Sequence, residues 1–166
     1  MRRGPMSLLA VAGIALAGCS APASPQVTFY SHGDSVRAAP VRHCDRLGRN
    51  CSEPNPEAVV NLTVPPGAPL QISVSEEISS APWQVAFRYR TADGRQEAGR
   101  STVFEAGQRH AYTLRPPGNG EPGSAQLEYV EVQRYAAPVL AAEGGIRFTI
   151  GGSWALNAHP APPARS

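Results

Sequence analysis

A strict alternation of apolar and polar residues in the middle of the chain limits its fold more than any other feature. Residues 83–90 read WQVAFRYR, so that every second residue, beginning with Trp83, is a large apolar or aromatic one. Successive side chains on a β-strand point to opposite faces. The pattern therefore predicts an antiparallel strand with one buried and one solvated face.

Similar short runs, each bounded by Gly, Pro, Asp or Asn, recur along the chain. They cover residues 27–30, 60–64, 70–74, 97–104, 109–114, 127–135 and 146–156. Gly151 and Gly152 interrupt the last run, which predicts a bulge or bend in one long final strand. In none of these segments do apolar residues recur with the 3.6-residue period of an α-helix between capping residues. The spacing predicts an all-β fold, an immunoglobulin-like antiparallel β-sandwich of about eight to nine strands.

The N-terminus has the features of an export signal. Arg2 and Arg3 precede an apolar run over residues 8–17, which is too short for a membrane-spanning helix. The sequence LAGC at 16–19 then resembles the bacterial lipobox at all four positions. That resemblance implies cleavage before Cys19 and attachment of lipid to its thiol, although an ordinary secretory signal with an incidental cysteine is the alternative. The paired arginines leave both the general and the twin-arginine export routes open.

These observations divide the chain into four parts. We expect a lipoprotein signal peptide at 1–18, the lipidated cysteine and a short tether at 19–25, a sandwich domain at 26–158 and a disordered Pro-rich tail at 159–166. A domain of this size buries about two-thirds of the surface that its unfolded chain exposes. It can therefore form a hydrophobic core of its own.

Two cysteines remain once Cys19 is assigned to the lipid. Cys44 and Cys51 form an even pair in an exported chain, where oxidising conditions favour a disulfide. The rival interpretation is a metal site that also uses His32 and His43, but the spacing fits no zinc module. We therefore predict a disulfide and no metal.

Net charge excludes one large class of function. The formal charge of +2 arises from Arg2 and Arg3, so the chain after residue 18 is formally neutral. A neutral domain is not drawn onto nucleic acid by its charge. We expect no nucleic-acid partner.

A set of short motifs is spread over most of the chain. It comprises the lipobox, VTFYS at 27–31, the Cys44 and Cys51 pair, VPPGAPLQISV at 64–74, APWQV at 81–85, YTL at 112–114 and VEVQ at 130–133. Together these motifs resemble the actinobacterial envelope lipoproteins catalogued as domain of unknown function 2771. The resemblance implies a small β-rich domain in an actinobacterial cell envelope. It implies no activity, and it supplies no catalytic residues.

Two groups of residues invite a catalytic interpretation. Ser31, His32 and Asp34 are nearly consecutive, whereas a catalytic triad converges from different elements. They are better explained as the tip between two strands. Glu128 and Glu131 differ in parity, so on a regular strand they face opposite sides and cannot flank one glycosidic bond. We expect no catalytic residue and no cofactor, and hence no enzyme.

One surface is expected to be basic. Six arginines lie between residues 84 and 115, against three acidic residues. Arg88 and Arg90 share the polar face of one predicted strand, and Arg100 on the neighbouring strand would extend the patch. Such a patch can meet a partner protein or anionic headgroups. The alternative is an ordinary solvated sheet face with scattered ion pairs.

We therefore expect an outward-facing protein, anchored to the cell membrane by its lipid, that binds or scaffolds an unknown envelope protein or glycolipid. One alternative is a carrier that holds an apolar envelope lipid or glycolipid between its sheets, which requires a cavity above roughly 300 Å³. Another is a hydrolase with a site built from loops. It requires a histidine and a carboxylate within hydrogen-bond reach of a nucleophile.

Overall fold

The computed structural model describes residues 24–117, 124–140 and 143–162. The predicted signal peptide and Cys19 lie outside these residues, as do 20–23 of the predicted tether and 163–166 of the predicted tail. The described strands are, in chain order, β1 (Val27–Ser31), β2 (Asp34–Ala38), β3 (Arg42–His43), β4 (Val60–Thr63), β5 (Leu70–Val74), β6 (Trp83–Arg90), β7 (Gln96–Arg100), β8 (Ala111–Leu114), β9 (Gln126–Tyr135), β10 (Val139–Leu140), β11 (Ile146–Arg147) and β12 (Ile150–His159).

Helical structure is confined to two short segments of the described chain. They are a 3₁₀ turn at Pro56–Ala58 and an α-helix, α1, at Glu76–Ser79. None of the described helices is long and apolar enough to cross a membrane.

Four antiparallel strands form the first sheet, in the spatial order β2–β1–β5–β8. The hairpin between β1 and β2 turns at His32 and Gly33, which both have positive φ, 52° and 96°. Two such residues match the right-handed twist of the flanking strands in a two-residue turn. The expectation that Ser31, His32 and Asp34 mark a strand-to-strand tip is confirmed.

The second sheet has the order β3–β12–β9–β6–β7, with β4 also paired to β12. β3 and β4 occupy the same edge of β12, at residues 152–153 and 156–159 respectively. All pairs are antiparallel except that of β4 with β12. The predicted all-β, antiparallel sandwich is confirmed, with ten described strands in its two sheets.

The core lies between the two sheets. Trp83 and Trp154 have no exposed surface, so both lie on the buried faces of their strands. Trp83 packs against Phe104, with ring centroids 4.7 Å apart, and Phe104 packs in turn on Tyr112 at 5.2 Å. Burial of such large side chains is the main favourable term in folding. The other fully buried large side chains are Phe29, Leu70, Ile72, Ile78, Leu114, Leu127, Leu156, Val27, Val64 and Val85.

The final strand differs in part from its prediction. A register shift between Ile150 and Gly152 confirms the predicted bulge. Residues 146–156 are not one strand, however, because β11 pairs with β10 as a separate two-stranded ribbon. Phe148 therefore lies outside the sandwich, with 58% of its surface exposed, and its ring stacks edge to face with that of Tyr135, with the ring centroids 6.3 Å apart.

A disulfide joins Cys44 and Cys51, as predicted. The loop that it closes is organised by Asp45, whose carboxylate accepts hydrogen bonds from the backbone N–H groups of Leu47 and Arg49 and from the Asn50 side chain. These bonds, with that from Arg49 the largest influence, lower the pKa of Asp45 below its ordinary value. We call residues 44–51 the disulfide loop. It packs so closely on β9 and its extension that a Cβ at Gly48 would lie 3.0 Å from the Ala136 Cβ.

Removal of the disulfide is expected to destabilise the domain moderately. In the double variant Cys44→Ala/Cys51→Ala the unfolded chain regains the freedom of a short loop, which costs about 2–3 kcal/mol of the free energy of unfolding. Urea unfolding measures this as a lower midpoint. Reduction of the unmodified protein is the matched control and should give the same shift. An unchanged midpoint in both experiments would contradict the prediction.

Candidate functional site

The outer face of the second sheet carries the three arginines predicted there, and two of them have no acidic partner in the described chain. Arg88 on β6 lies opposite Ala98 on β7 and Tyr129 on β9, and its guanidinium is 4.9 Å from the centroid of the Tyr129 ring. Arg100 lies opposite Ala86, two pairs further along and so on the same face, and its Nη1 is 3.5 Å from the Gln133 Oε1. Arginines 88 and 100 are both exposed and have no acidic partner within salt-bridge distance among the described residues. We call Arg88, Arg100 and Tyr129 the sheet patch.

Arg90, the third predicted member, is paired with an acidic residue on the same face. Its guanidinium forms an ion pair with Glu128 at 2.6 Å and donates a hydrogen bond to the carbonyl of Gly94. Glu131 also lies on the outer face, opposite Ala86. The patch is therefore less positive than the sequence suggests, and its free cations are Arg88 and Arg100 of the described chain.

A β-bulge corrects the expected placement of the two glutamates. The register of β9 slips beside Arg88 and Tyr89, so that both Glu128 and Tyr129 face outward between buried Leu127 and Val130. Parity reasoning assumed a regular strand, and the extra residue of a bulge reverses it.

The surroundings of Glu128 on this face favour the charged form of its carboxyl group. A hydrogen bond from Gln96, and then one from Arg90, lower the pKa of Glu128. A general acid requires the opposite shift.

One serine and one histidine do come within hydrogen-bond distance. Ser79 Oγ lies 2.8 Å from His110 Nδ1, but Ser79 has no exposed surface, and its hydroxyl also donates to the carbonyls of Ser75, which precedes α1, and Glu76, the first residue of α1. A hydroxyl in that position is out of reach of a substrate. His159 contacts Asn61 instead.

A buried arginine is the feature that sequence reasoning missed. Arg134 lies on β9, between Trp83 of β6 and Gly152 of β12. Its side chain is on the buried face of the sheet, at the end of the core, and only 4% of the residue's surface is exposed. Its Nη2 donates a hydrogen bond to the carbonyl of Cys44 at 3.1 Å and approaches that of Gly151 at 3.5 Å. The sequence did contain a signal, because Arg134 has the same parity as the apolar Val130 and Val132.

Arg134 lines a cavity of about 250 Å³ at the end of the sandwich beside the disulfide loop. Arg46 from the loop, Pro82 and Phe148 also line it. A second depression of about 280 Å³ shares Pro82, Tyr135 and Phe148 with the first and is extended by Val103. We call the first of these the end cavity and the second the apolar groove.

The electrostatics of the end cavity follow from the burial of Arg134. Burial lowers the pKa of its guanidinium, and the positive charge of Arg46 lowers it further, whereas Glu77 acts in the opposite direction. Arginine remains protonated in proteins even so. No cluster of three or more His, Cys, Asp or Glu side chains that could hold a metal ion occurs within the described ranges.

Comparison with known proteins gives the family. Residues 20–158 match the family described as "Protein of unknown function (DUF2771)". The chain belongs to the DUF2771 family. The match includes β1 to β12 except for the last residue of β12, so the sandwich, the sheet patch and the end cavity are all within the DUF2771 region.

Curated relatives come from mycobacteria. Uncharacterized protein Rv0875c of Mycobacterium tuberculosis and uncharacterized protein Mb0899c of Mycobacterium bovis are each 32% identical to this chain over 93 residues, which is 56% of this chain and 54% of theirs. The chain thus spans about half the length of these relatives. No solved structure matches this member of DUF2771.

Proposed function

We propose that this DUF2771 protein is a lipid-anchored, non-enzymatic binding module on the outer side of the actinobacterial cell membrane. In this proposal the anchor is Cys19, and the partner is another envelope protein that presents acidic side chains to the sheet patch. The lipobox and the Cys44–Cys51 disulfide support export. The mycobacterial relatives support an actinobacterial origin.

The pairing of two exposed arginines with an aromatic ring carries the proposal. Tyr and Arg are enriched in the parts of protein interfaces that contribute most binding energy. The ring of Tyr129 holds the Arg88 guanidinium in place, so less side-chain freedom is lost when a carboxylate binds. Arg100 supplies a second free cation two residues along the neighbouring strand. Acidic groups of a partner complement both charges.

The observed burial also supports a surface-binding module over the two alternatives. The space between the sheets is filled by side chains without exposed surface, whereas the end cavity lies at one end of the sandwich and the apolar groove lies beside that cavity. A carrier would need room between the sheets. A hydrolase would need an accessible nucleophile, whereas Ser79 beside His110 is enclosed.

Site-specific photo-crosslinking tests the partner. Ala98 is exposed on β7, opposite Arg88 and two residues before Arg100. A photoreactive residue at this position is expected to capture one protein reproducibly from intact membranes that contain the full-length protein. The same residue at Gln71, on the outer face of the first sheet, serves as the matched control and should not capture it.

Charge removal makes this test specific. The variant Arg88→Gln/Arg100→Gln should reduce the captured product about tenfold, equivalent to about 1.4 kcal/mol of binding free energy. The control Arg37→Gln/Arg42→Gln, which removes two exposed arginines away from the patch, should leave it unchanged. Equal capture from Ala98 and Gln71, or capture of lipid or glycan in place of protein, would contradict the proposal.

A further inference from the structure

Arg134 is a buried charge without a counter-charge in the described chain. No carboxylate lies within 4.0 Å of it, since the ion pairs found there involve Arg90 and Arg95. Glu77 influences it from a greater distance. Removing a guanidinium from water is costly unless an anion or a full set of hydrogen bonds replaces the lost hydration.

The hydrogen bonds of Arg134 are also incomplete. A guanidinium carries five N–H groups, and in the described chain those of Nη2 find the carbonyls of Cys44 and Gly151. The buried Nε has no acceptor, and Nη1 makes no hydrogen bond to a described residue. Because Nε is enclosed by protein and Nη2 is engaged by two carbonyls, Nη1 is the nitrogen left to donate to an oxyanion in the cavity that Arg134 lines.

The surroundings of Arg134 define what kind of anion fits. Arg46 places a second positive charge on the same cavity. The apolar groove then continues past Pro82 and Tyr135 to Val103 and Phe148, which are 48% and 58% exposed. Glu105 is the acidic residue at the margin of the groove. A basic pocket that opens onto exposed apolar side chains matches a molecule with an anionic head and an apolar chain.

We propose that the end cavity binds the oxyanion of an amphiphile, a carboxylate or phosphate that carries an apolar chain. The oxyanion pairs with Arg134 and Arg46, and the chain lies along the apolar groove against Phe148. This site is separate from the sheet patch, which faces outward from the middle of the second sheet.

The position of the chain's first described residues indicates the source of this ligand. Ser24 and Pro25 line a depression together with Cys51 of the disulfide loop, so the chain leaves the domain at the end that holds the cavity. Cys19 is five residues earlier, and five extended residues span at most about 18 Å. Membrane amphiphiles are thus within reach if Cys19 carries lipid. This step on the source rests on the proposed function, whereas the oxyanion site does not.

Titration calorimetry of the mature chain, residue 19 onward with Cys19→Ser, tests the site without a membrane. Octanoate and octyl phosphate are the charged probes, and octanamide is the neutral counterpart of octanoate. We expect at least one charged probe to bind, and octanamide to bind about tenfold more weakly than that probe because it offers no charge to Arg134. The ratio of the dissociation constants of octanoate and octyl phosphate distinguishes a carboxylate site from a phosphate site.

Two variants and a matched control locate the binding. Arg134→Met should abolish binding of the charged probe. Arg46→Gln, at an exposed position whose substitution leaves the fold intact, should weaken it about threefold or more. Arg49→Gln removes a charge from the same disulfide loop outside the cavity and should have no effect.

Three results would overturn the proposal. They are a failure of both charged probes to bind, octanamide binding as tightly as octanoate, or Arg46→Gln binding as tightly as Arg49→Gln. If the soluble chain binds and the anchored protein does not reside in membranes, the site stands and its membrane source fails.

Discussion

Trp154→Ala is expected to cost about 3–5 kcal/mol of the free energy of unfolding, which is a large part of the stability of a single domain. Trp154 has no exposed surface and lies under the bulge of β12, where a Cβ at Gly152 would come within 2.9 Å of its ring. Its Nε1 also donates a hydrogen bond of 2.8 Å to the carbonyl of Pro25. The substitution therefore leaves a cavity and removes the donor that fixes the start of the domain.

Trp154→Phe separates these two contributions. It retains much of the apolar burial but leaves the Pro25 carbonyl without its donor, which costs about 1–3 kcal/mol for an unsatisfied buried group, with a further loss from the smaller ring. Urea unfolding of both variants gives the values. Tyr30→Ala, at a 40% exposed aromatic residue, is the control and should change stability by less than about 1 kcal/mol. A loss below 1 kcal/mol for Trp154→Ala would refute the assigned role.

The strands of this fold could be predicted because their signal is local. Alternation over residues 83–90 is enough to assign β6, and it places Trp83 and Val85 on the buried face where the structure has them. The same reasoning gives the β1–β2 hairpin and the bulge near Gly152. In each case neighbouring residues in the sequence determine which face of the strand is buried.

Pairings between distant segments could not be predicted in this way. β4 pairs in parallel with β12, which lies about ninety residues further along the chain, and no local pattern distinguishes that partner from another strand. The bulge at Glu128 depends on the register between β6 and β9. The exposure of Phe148 depends on the separate pairing of β11 with β10. All three are properties of the assembled sheets.

The candidate sites show the same division. Sequence reasoning brought Arg88 and Arg100 to one face because parity and a hairpin suffice for that. It did not single out Arg134, although the residue shares parity with Val130 and Val132. Its acceptor on Cys44 is 90 residues away in sequence, so only the folded arrangement identifies the cavity that it lines.

Cys19→Ser is expected to release the protein from the membrane fraction. Serine cannot form the thioether through which diacylglycerol is attached, and each buried CH₂ of an acyl chain contributes about 0.8 kcal/mol to anchoring. Loss of the two acyl chains is therefore expected to move almost all of the protein from the membrane fraction to the soluble fraction. Membrane fractionation measures it. Cys44→Ser/Cys51→Ser also removes two sulfur atoms but leaves the lipobox intact, so this control should remain in the membrane.

If the uncleaved Cys19→Ser precursor is itself retained in the membrane, fractionation does not test the lipid anchor. Mass spectrometry of the unaltered protein then tests it. The chain contains no lysine and no arginine between Cys19 and Arg37, so trypsin releases residues 19–37 of the processed protein as one peptide. If Cys19 is the anchor, that peptide carries the added mass of the lipid, because cleavage before Cys19 follows lipid attachment to its thiol. An unmodified peptide 19–37, or a peptide that begins upstream of Cys19 in the unaltered protein, would refute lipid anchoring while leaving the end cavity to its own test.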